Sequence, residues 1–272
     1  MKKEHSDAQD KEQYQITLYP NDKTCFAFKF RVLNDSTLKR TKMITEELIK
    51  KEKQQFNSLS FDEIGDDHLF TGLETPMKAN AFDISDEEKK EKIANLFSQI
   101  MDVMGLDLTD DSLQGTPKRV AKMYIDEIFS GLNPANKPKV ALFTNKYKYN
   151  QMLVEKNITF YSSCEHHFVP IIGKAHVAYI SSGKVIGLSK INRIVQYFAK
   201  RPQVQERLTN QIAEELKAIL ETENVAVIID AKHLCVSSRG VKDDTSSTVT
   251  SYFGGVFNTS EKIAELQNTL NY

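Results

Sequence analysis

The stretch YSSCEHHFVPIIGKAHVAYI, residues 161–180, sets Cys164, Glu165, His166 and His167 side by side between apolar runs. The whole chain has three cysteines and six histidines, so one turn concentrates its reactive side chains. Strand-like runs flank the turn, 157–163 before it and 174–180 after it, the second closing at Ser181-Ser182-Gly183. A Cys-x-x-His spacing in a turn lets one metal ion bind both side chains without straining the backbone.

Outward from this motif the pattern continues helix, helix, strand, strand and a final short helix. Ile191, Ile194, Val195 and Phe198 mark one helix, Pro202 breaks the pattern, and Val204, Leu208, Ile212, Leu216 and Leu220 mark the next. Residues 225–229 form a continuous apolar run, suited to a buried strand that continues through 230–237, and 245–253 suits one more. Upstream, Ser85 and Glu88 make a capping-box signature ahead of Ile93, Leu96, Phe97, Ile100 and Met104 on one helical face. A second helix begins at Thr116-Pro117 with Thr116 as N-cap, runs through Val120, Met123, Tyr124 and Ile128, and stops near Gly131. Phe26, Phe28, Phe30 and Val32 alternate at strand period, a charged helix is expected over 36–55, and 56–80 reads as a linker or arm. The expected division is an N-terminal extension of unknown role over 1–60, a helical arm and linker over 61–135, and an α+β domain over 136–272 that carries the motif.

With 272 residues, 40% hydrophobic and 27% charged, the chain is long enough to bury a substantial core. Its formal net charge of -1 gives no global pull toward nucleic acid or an acidic membrane, so any anion site must be a local cluster. No apolar stretch approaches a membrane span, and MKKEHSDAQDKEQ lacks the apolar core of a secretory signal, so the expected location is cytoplasmic. An odd number of cysteines, Cys25, Cys164 and Cys235, argues against a disulfide framework and leaves metal binding or catalysis.

The His-plus-Cys chemistry recurs in Lys232-His233-Leu234-Cys235. On an extended strand His233 and Cys235 share one face. Cys235 beside Cys164 and His167 makes a two-thiolate, one-imidazole set suited to Zn2+. Three protein ligands leave a fourth position for water, whose pKa falls to about 7 on zinc, and leave His166 and His233 as acid or base. A closed structural site, using one of those histidines as fourth ligand, satisfies the same spacing. A second constellation, GLSKINR at 187–193, sets Ser189 at a helix N-cap with Lys190 and Arg193 in the first turns, where cations reverse the usual preference and invite an anion. Arg239, just past Cys235, is a further phosphate partner; Arg119 and Lys122 read equally well as a solvated face. Gln205 and Glu206, early in their helix, offer an amide and a carboxylate to the N–H edge of a guanine-like ring.

Together CEHHFVPIIGKAHVAYI, VIGLSKINRIVQYFAKRPQVQERLT and DAKHLCVSSRGVKDDTSSTVTSYFGG, with TPKRVAKMYIDEIFSGL upstream, resemble the GTP cyclohydrolase I family over residues 83–259. The resemblance implies a tunnelling fold: an antiparallel sheet with two helices on one face, preceded by N-terminal helices and assembled into a barrel-based ring. Such rings are commonly decamers with active sites between subunits. It implies Cys164, His167 and Cys235 as zinc ligands and His166 and His233 as catalytic histidines. Glu206 with Gln205 is similar to the guanine anchor, while Ser189, Lys190, Arg193, Arg239, Arg119 and Lys122 resemble the triphosphate contacts, the last two from a neighbouring subunit. The implied reaction is zinc-dependent conversion of GTP and water to formate and 7,8-dihydroneopterin triphosphate, a first step toward folate or tetrahydrobiopterin. Neither nucleic acid nor membrane is expected as a partner.

Overall fold

The computed structural model describes residues 72–271, together with the two-residue strands β1 (Tyr14–Gln15) and β2 (Arg31–Val32), which pair antiparallel. Cys25, the alternating Phe26, Phe28 and Phe30, the expected helix over 36–55 and the arm up to residue 71 lie outside the described residues. Contacts divide the chain into two units, Met1–His68 and Leu69–Tyr272; the second holds every element below.

Helix α1 (Asp86–Val103) starts where the capping signature says, with the Ser85 hydroxyl accepting from the Glu88 N–H at 3.2 Å. Asp86, Glu87 and Glu88 add negative charge at its positive end. Helix α2 (Thr116–Lys122) differs from the expected boundaries: Gly115 is the N-cap, Thr116 is already helical, and after Lys122 the chain widens into a π-helical turn over Met123–Ile128. The wider turn accompanies an aromatic cluster in which Phe129 packs on Tyr124 and Phe168, with centroids 5.4 and 5.1 Å away. Phe168 belongs to the cysteine-histidine turn, so this contact ties the helical arm to the motif.

The main sheet uses β4 (Leu153–Cys164), β5 (Pro170–Tyr179), β7 (Pro202–Gln203), β8 (Val225–His233) and β9 (Thr248–Phe253), in the order β7-β4-β5-β8-β9. All pairings are antiparallel except the short parallel β7–β4 contact. A second pair, β3 (Leu142–Thr144) with β6 (Lys184–Ile186), flanks it. β3, β6 and β7 have too few residues for a periodic signal and were not expected. Helices α3 (Leu188–Ala199) and α4 (Gln205–Leu220) follow β6 and β7.

Alternation along the strands splits the core in two. Val177, Tyr179, Val225, Val227 and Ile229 face Ile191, Ile194, Val195, Phe198, Leu208, Ile212 and Leu216 of α3 and α4, so two helices cover one face as expected. Each such buried aliphatic or aromatic side chain contributes about 1.5–3 kcal/mol over leaving it exposed. On the opposite face Ala178 and Ala226 meet Phe257 and Leu266, the latter from the C-terminal helix α6 (Ser260–Asn271). Gly131 explains how the helical arm seats against α3: its N–H donates to the Lys200 carbonyl at 2.9 Å, and a Cβ there would stand 2.0 Å from the Tyr197 carbonyl oxygen. No helix among the described residues is long and apolar enough to cross a membrane.

One expectation fails at the end of β8. The strand stops at His233, and Leu234–Ser237 forms a single helical turn, α5. The Ser238 N–H bonds the Leu234 carbonyl at 2.9 Å, and the hydroxyls of Ser237 and Ser238 reach back four residues to the His233 and Leu234 carbonyls. His233 and Cys235 therefore do not share a strand face.

Candidate active site

Register explains how the reactive residues meet. Ser163 opposes Pro170 across β4 and β5, and Ile171 opposes His233 across β5 and β8. The end of β4, the start of β5 and the end of β8 thus lie at one edge of the sheet. Cys164 closes β4, the turn carries Glu165, His166 and His167, and α5 swings Cys235 back toward them.

One ligand atom each from Cys164, His167 and Cys235 lie within 4.8 Å of one another. His167 Nδ1 stands 3.7 Å from Cys164 Sγ. Ligand atoms on a tetrahedral zinc with bonds of about 2.0–2.3 Å stand roughly 3.3–3.8 Å apart, so a set within 4.8 Å closes on an ion by a modest contraction. Its chemistry also asks for a cation. Burial raises the Cys235 thiol above its ordinary range, and the neighbouring Cys164 raises it further by charge and hydrogen bonding, because two thiolates this close repel. The residues present fit zinc. His166 Nδ1 also approaches Cys164 Sγ, at 3.8 Å, yet His166 is not in the compact three-residue group. That favours three protein ligands over a closed set of four.

His233 is held from the other side. Its Nε2 lies 2.8 Å from Gln205 Oε1. Gln205 is buried at the start of α4, and its Nε2 points at the carbonyl oxygens of Ile229 and Thr248, at 3.1 and 2.8 Å. Two carbonyls accept only, so the amide nitrogen must face them and Oε1 must face the imidazole. His233 therefore carries its proton on Nε2 and keeps Nδ1 as the open lone pair. Burial lowers the His233 pKa, opposed by the negative charge of Glu206.

The other expected residues surround this group on separate elements. Glu206 is exposed in the first turn of α4. Arg239 is exposed beyond α5, its Nη1 2.6 Å from His167 Nε2, at the rim of the thiol pair. Ser189, Lys190 and Arg193 occupy the first turns of α3, but the N-cap is Gly187, with no side-chain cap bond; Ser189 is one residue inside the helix and not its cap. Arg119 and Lys122 are exposed on α2.

Two partnerships were not legible in the chain. The sequence offers Gln205 as a ring contact, whereas its side chain bonds the Ile229 and Thr248 carbonyls and His233. Arg207, 5% exposed, grips the Glu165 carboxylate through both terminal nitrogens, at 2.5 and 3.1 Å. The available signal was the run of polar residues Gln205, Arg207, Thr209 and Gln211 on a helix whose apolar face was already assigned.

The GTP cyclohydrolase I family model matches residues 93–270. Proteins named GTP cyclohydrolase 1 are similar over most of their length. The one from Flavobacterium johnsoniae is 66% identical over 196 residues, covering 72% of this chain and 88% of that protein. The Vibrio parahaemolyticus protein is 59% identical, covering 68% of this chain and 85% of its own length, and the Escherichia coli O1:K1 protein is 56% identical, covering 70% and 86%. With its mixed α+β fold, its antiparallel sheet and a cysteine-histidine-cysteine group at the sheet edge, the chain belongs to the GTP cyclohydrolase I family of enzymes.

Proposed function

We propose that the chain converts GTP and water to formate and 7,8-dihydroneopterin triphosphate, with zinc held by Cys164, His167 and Cys235. The observation that carries this reading is the compact donor set at the sheet edge beside a histidine whose proton position is fixed. Bound zinc supplies a Lewis acid and lowers the pKa of water, which is what hydrolysis at the purine C8 requires near neutrality.

The chain's own residues supply the rest. His233, kept neutral by burial and locked as the Nε2–H form by Gln205, takes a proton at Nδ1 and returns it as the imidazole ring of the substrate opens. His166, exposed at the turn, serves as the second acid–base group. Glu206 accepts from the N–H edge of guanine; because the Gln205 side chain is already engaged, the carboxylate carries the ring recognition. Lys190 and Arg193, with Ser189 and the first N–H groups of α3, bind the triphosphate, joined by Arg239. Arg119 and Lys122 join them from a neighbouring subunit of a ring, by the family's pattern a decamer. The reaction opens a pterin route toward folate or tetrahydrobiopterin, in the cytoplasm.

The test compares wild type with Cys235→Ala for zinc content, formate release from GTP and fluorescence of the oxidised pterin. Wild type is expected to give one zinc per chain and both products, and the variant to lose metal and turnover together. A variant with full turnover removes Cys235 from the ligand set, and a wild type that binds GTP without releasing formate leaves only a binding protein.

A further inference from the structure

We infer that Arg207 is a positioning residue for the metal-binding turn, and that the chain segment at Gly72 and Leu73 is the backstop that holds Arg207 in place. The inference rests on the metal reading above and extends it to residues with no role so far. Glu165 lies between Cys164 and His166; its carboxylate pairs with Arg207, with His166 Nε2 3.9 Å from Oε1. The pair is bidentate, a geometry that fixes the carboxylate in both distance and plane. The Glu165 N–H also donates to the Gln203 carbonyl at 3.0 Å, so backbone and side chain of this one residue are both tied down.

The Nε–H of the same guanidinium donates to the Gly72 carbonyl at 3.0 Å. One helical turn later Gln211, also buried, donates to the Leu73 carbonyl at 2.8 Å, while its Oε1 accepts from Gln203 Nε2 at 2.8 Å. Arg207 and Gln211 stand four apart on α4 and so share a face. The segment 72–73 therefore lies along that face as a strap, ahead of residue 93 where the family match begins. Through Arg207 it is linked by direct hydrogen bonds to the residue beside a metal ligand. Groups that orient metal ligands from behind change metal affinity by about 10–100-fold when removed.

The experiment measures zinc release from the full-length holoprotein into excess chromophoric chelator, with the cobalt(II)-substituted absorption spectrum as a second readout. Arg207→Met alone leaves a carboxylate without its partner, so Glu165→Leu/Arg207→Met is made as well; replacing both members of a buried pair restores stability. Positioning predicts zinc release at least about tenfold faster in single and double variants alike, with an altered cobalt spectrum, even though the double variant melts near wild type. Release that returns to the wild-type rate in the double variant overturns the proposal, because the pair would then act only on stability. Gln211→Leu tests the strap: it is expected to speed both tryptic cleavage at Lys78 and zinc release, and cleavage without faster release overturns the strap's part. A wild type that takes up no zinc overturns this inference with the metal reading. A wild type that holds zinc and shows these effects but makes no formate refutes the proposed reaction alone.

Discussion

Gln205 shows how a single side chain divides two accounts of the same site. A glutamine that reads the guanine ring affects substrate binding, and its loss raises KM. A glutamine that orients His233 affects proton transfer, and its loss lowers kcat. The hydrogen bonds favour the second account, since the amide nitrogen is spent on Ile229 and Thr248 and the oxygen on His233. Gln205→Leu is expected to lower kcat by about 10²-fold with KM little changed, the usual cost of misplacing a reacting group by an ångström. Gln205→Glu keeps an acceptor toward His233 and should recover part of the loss; steady-state kinetics of formate release distinguish the two accounts. Glu206→Ala should behave in the opposite way, raising KM first.

Elements were legible where periodicity ran long enough. The face of α4 through Leu208, Ile212, Leu216 and Leu220, and the 225–229 part of β8, follow directly from the apolar pattern. What the pattern hid were events decided by contacts distant in sequence. The one-turn helix after His233 depends on serine hydroxyls bonding back to carbonyls, and the π-helical turn after Lys122 accompanies packing against Phe168. The donor types at Cys164, His167 and Cys235 could be read from spacing, but their meeting at one end of the sheet required the register of β4, β5 and β8. β4 holds another such event. Its ladder shifts register between Glu155 and Ile158, Asn157 there has φ 63°, and the Asn157 N–H donates to His176 Nδ1 on β5 at 3.3 Å. That bond needs an unprotonated Nδ1. Burial lowers the His176 pKa, partly offset by Asp230, with Lys174 and Lys156 adding to the lowering. The unfolded chain then binds more protons below about pH 6.5, so this contribution to stability is full above that pH and is lost as pH falls toward the folded-state pKa. Urea midpoints at pH 7.5 and 5.5 should converge in His176→Gln relative to wild type. Gly131→Ala should destabilise at both pH values, by about 1–3 kcal/mol, because the added methyl meets backbone oxygen.

At the scale of the whole molecule, the cations on α2 raise a question of assembly. Arg119 and Lys122 are exposed, on an element separate from the thiol pair at the sheet edge. If they complete the triphosphate site of a neighbouring subunit, each active site draws residues from two chains, and chains with different defects can repair one another. Arg119→Ala and His166→Ala alter exposed side chains and should each be inactive while still assembling. Mixed in equal amounts, dissociated and reassembled, they form sites in which the α2 donor and the histidine donor are chosen independently. A site is intact only when the neighbour is the His166→Ala chain and the catalytic subunit is the Arg119→Ala chain. Random assembly makes that combination about one site in four, so turnover should rise from near zero to about a quarter of wild type. If Arg119 serves the site of its own chain, every site in the mixture keeps one defect and no activity returns.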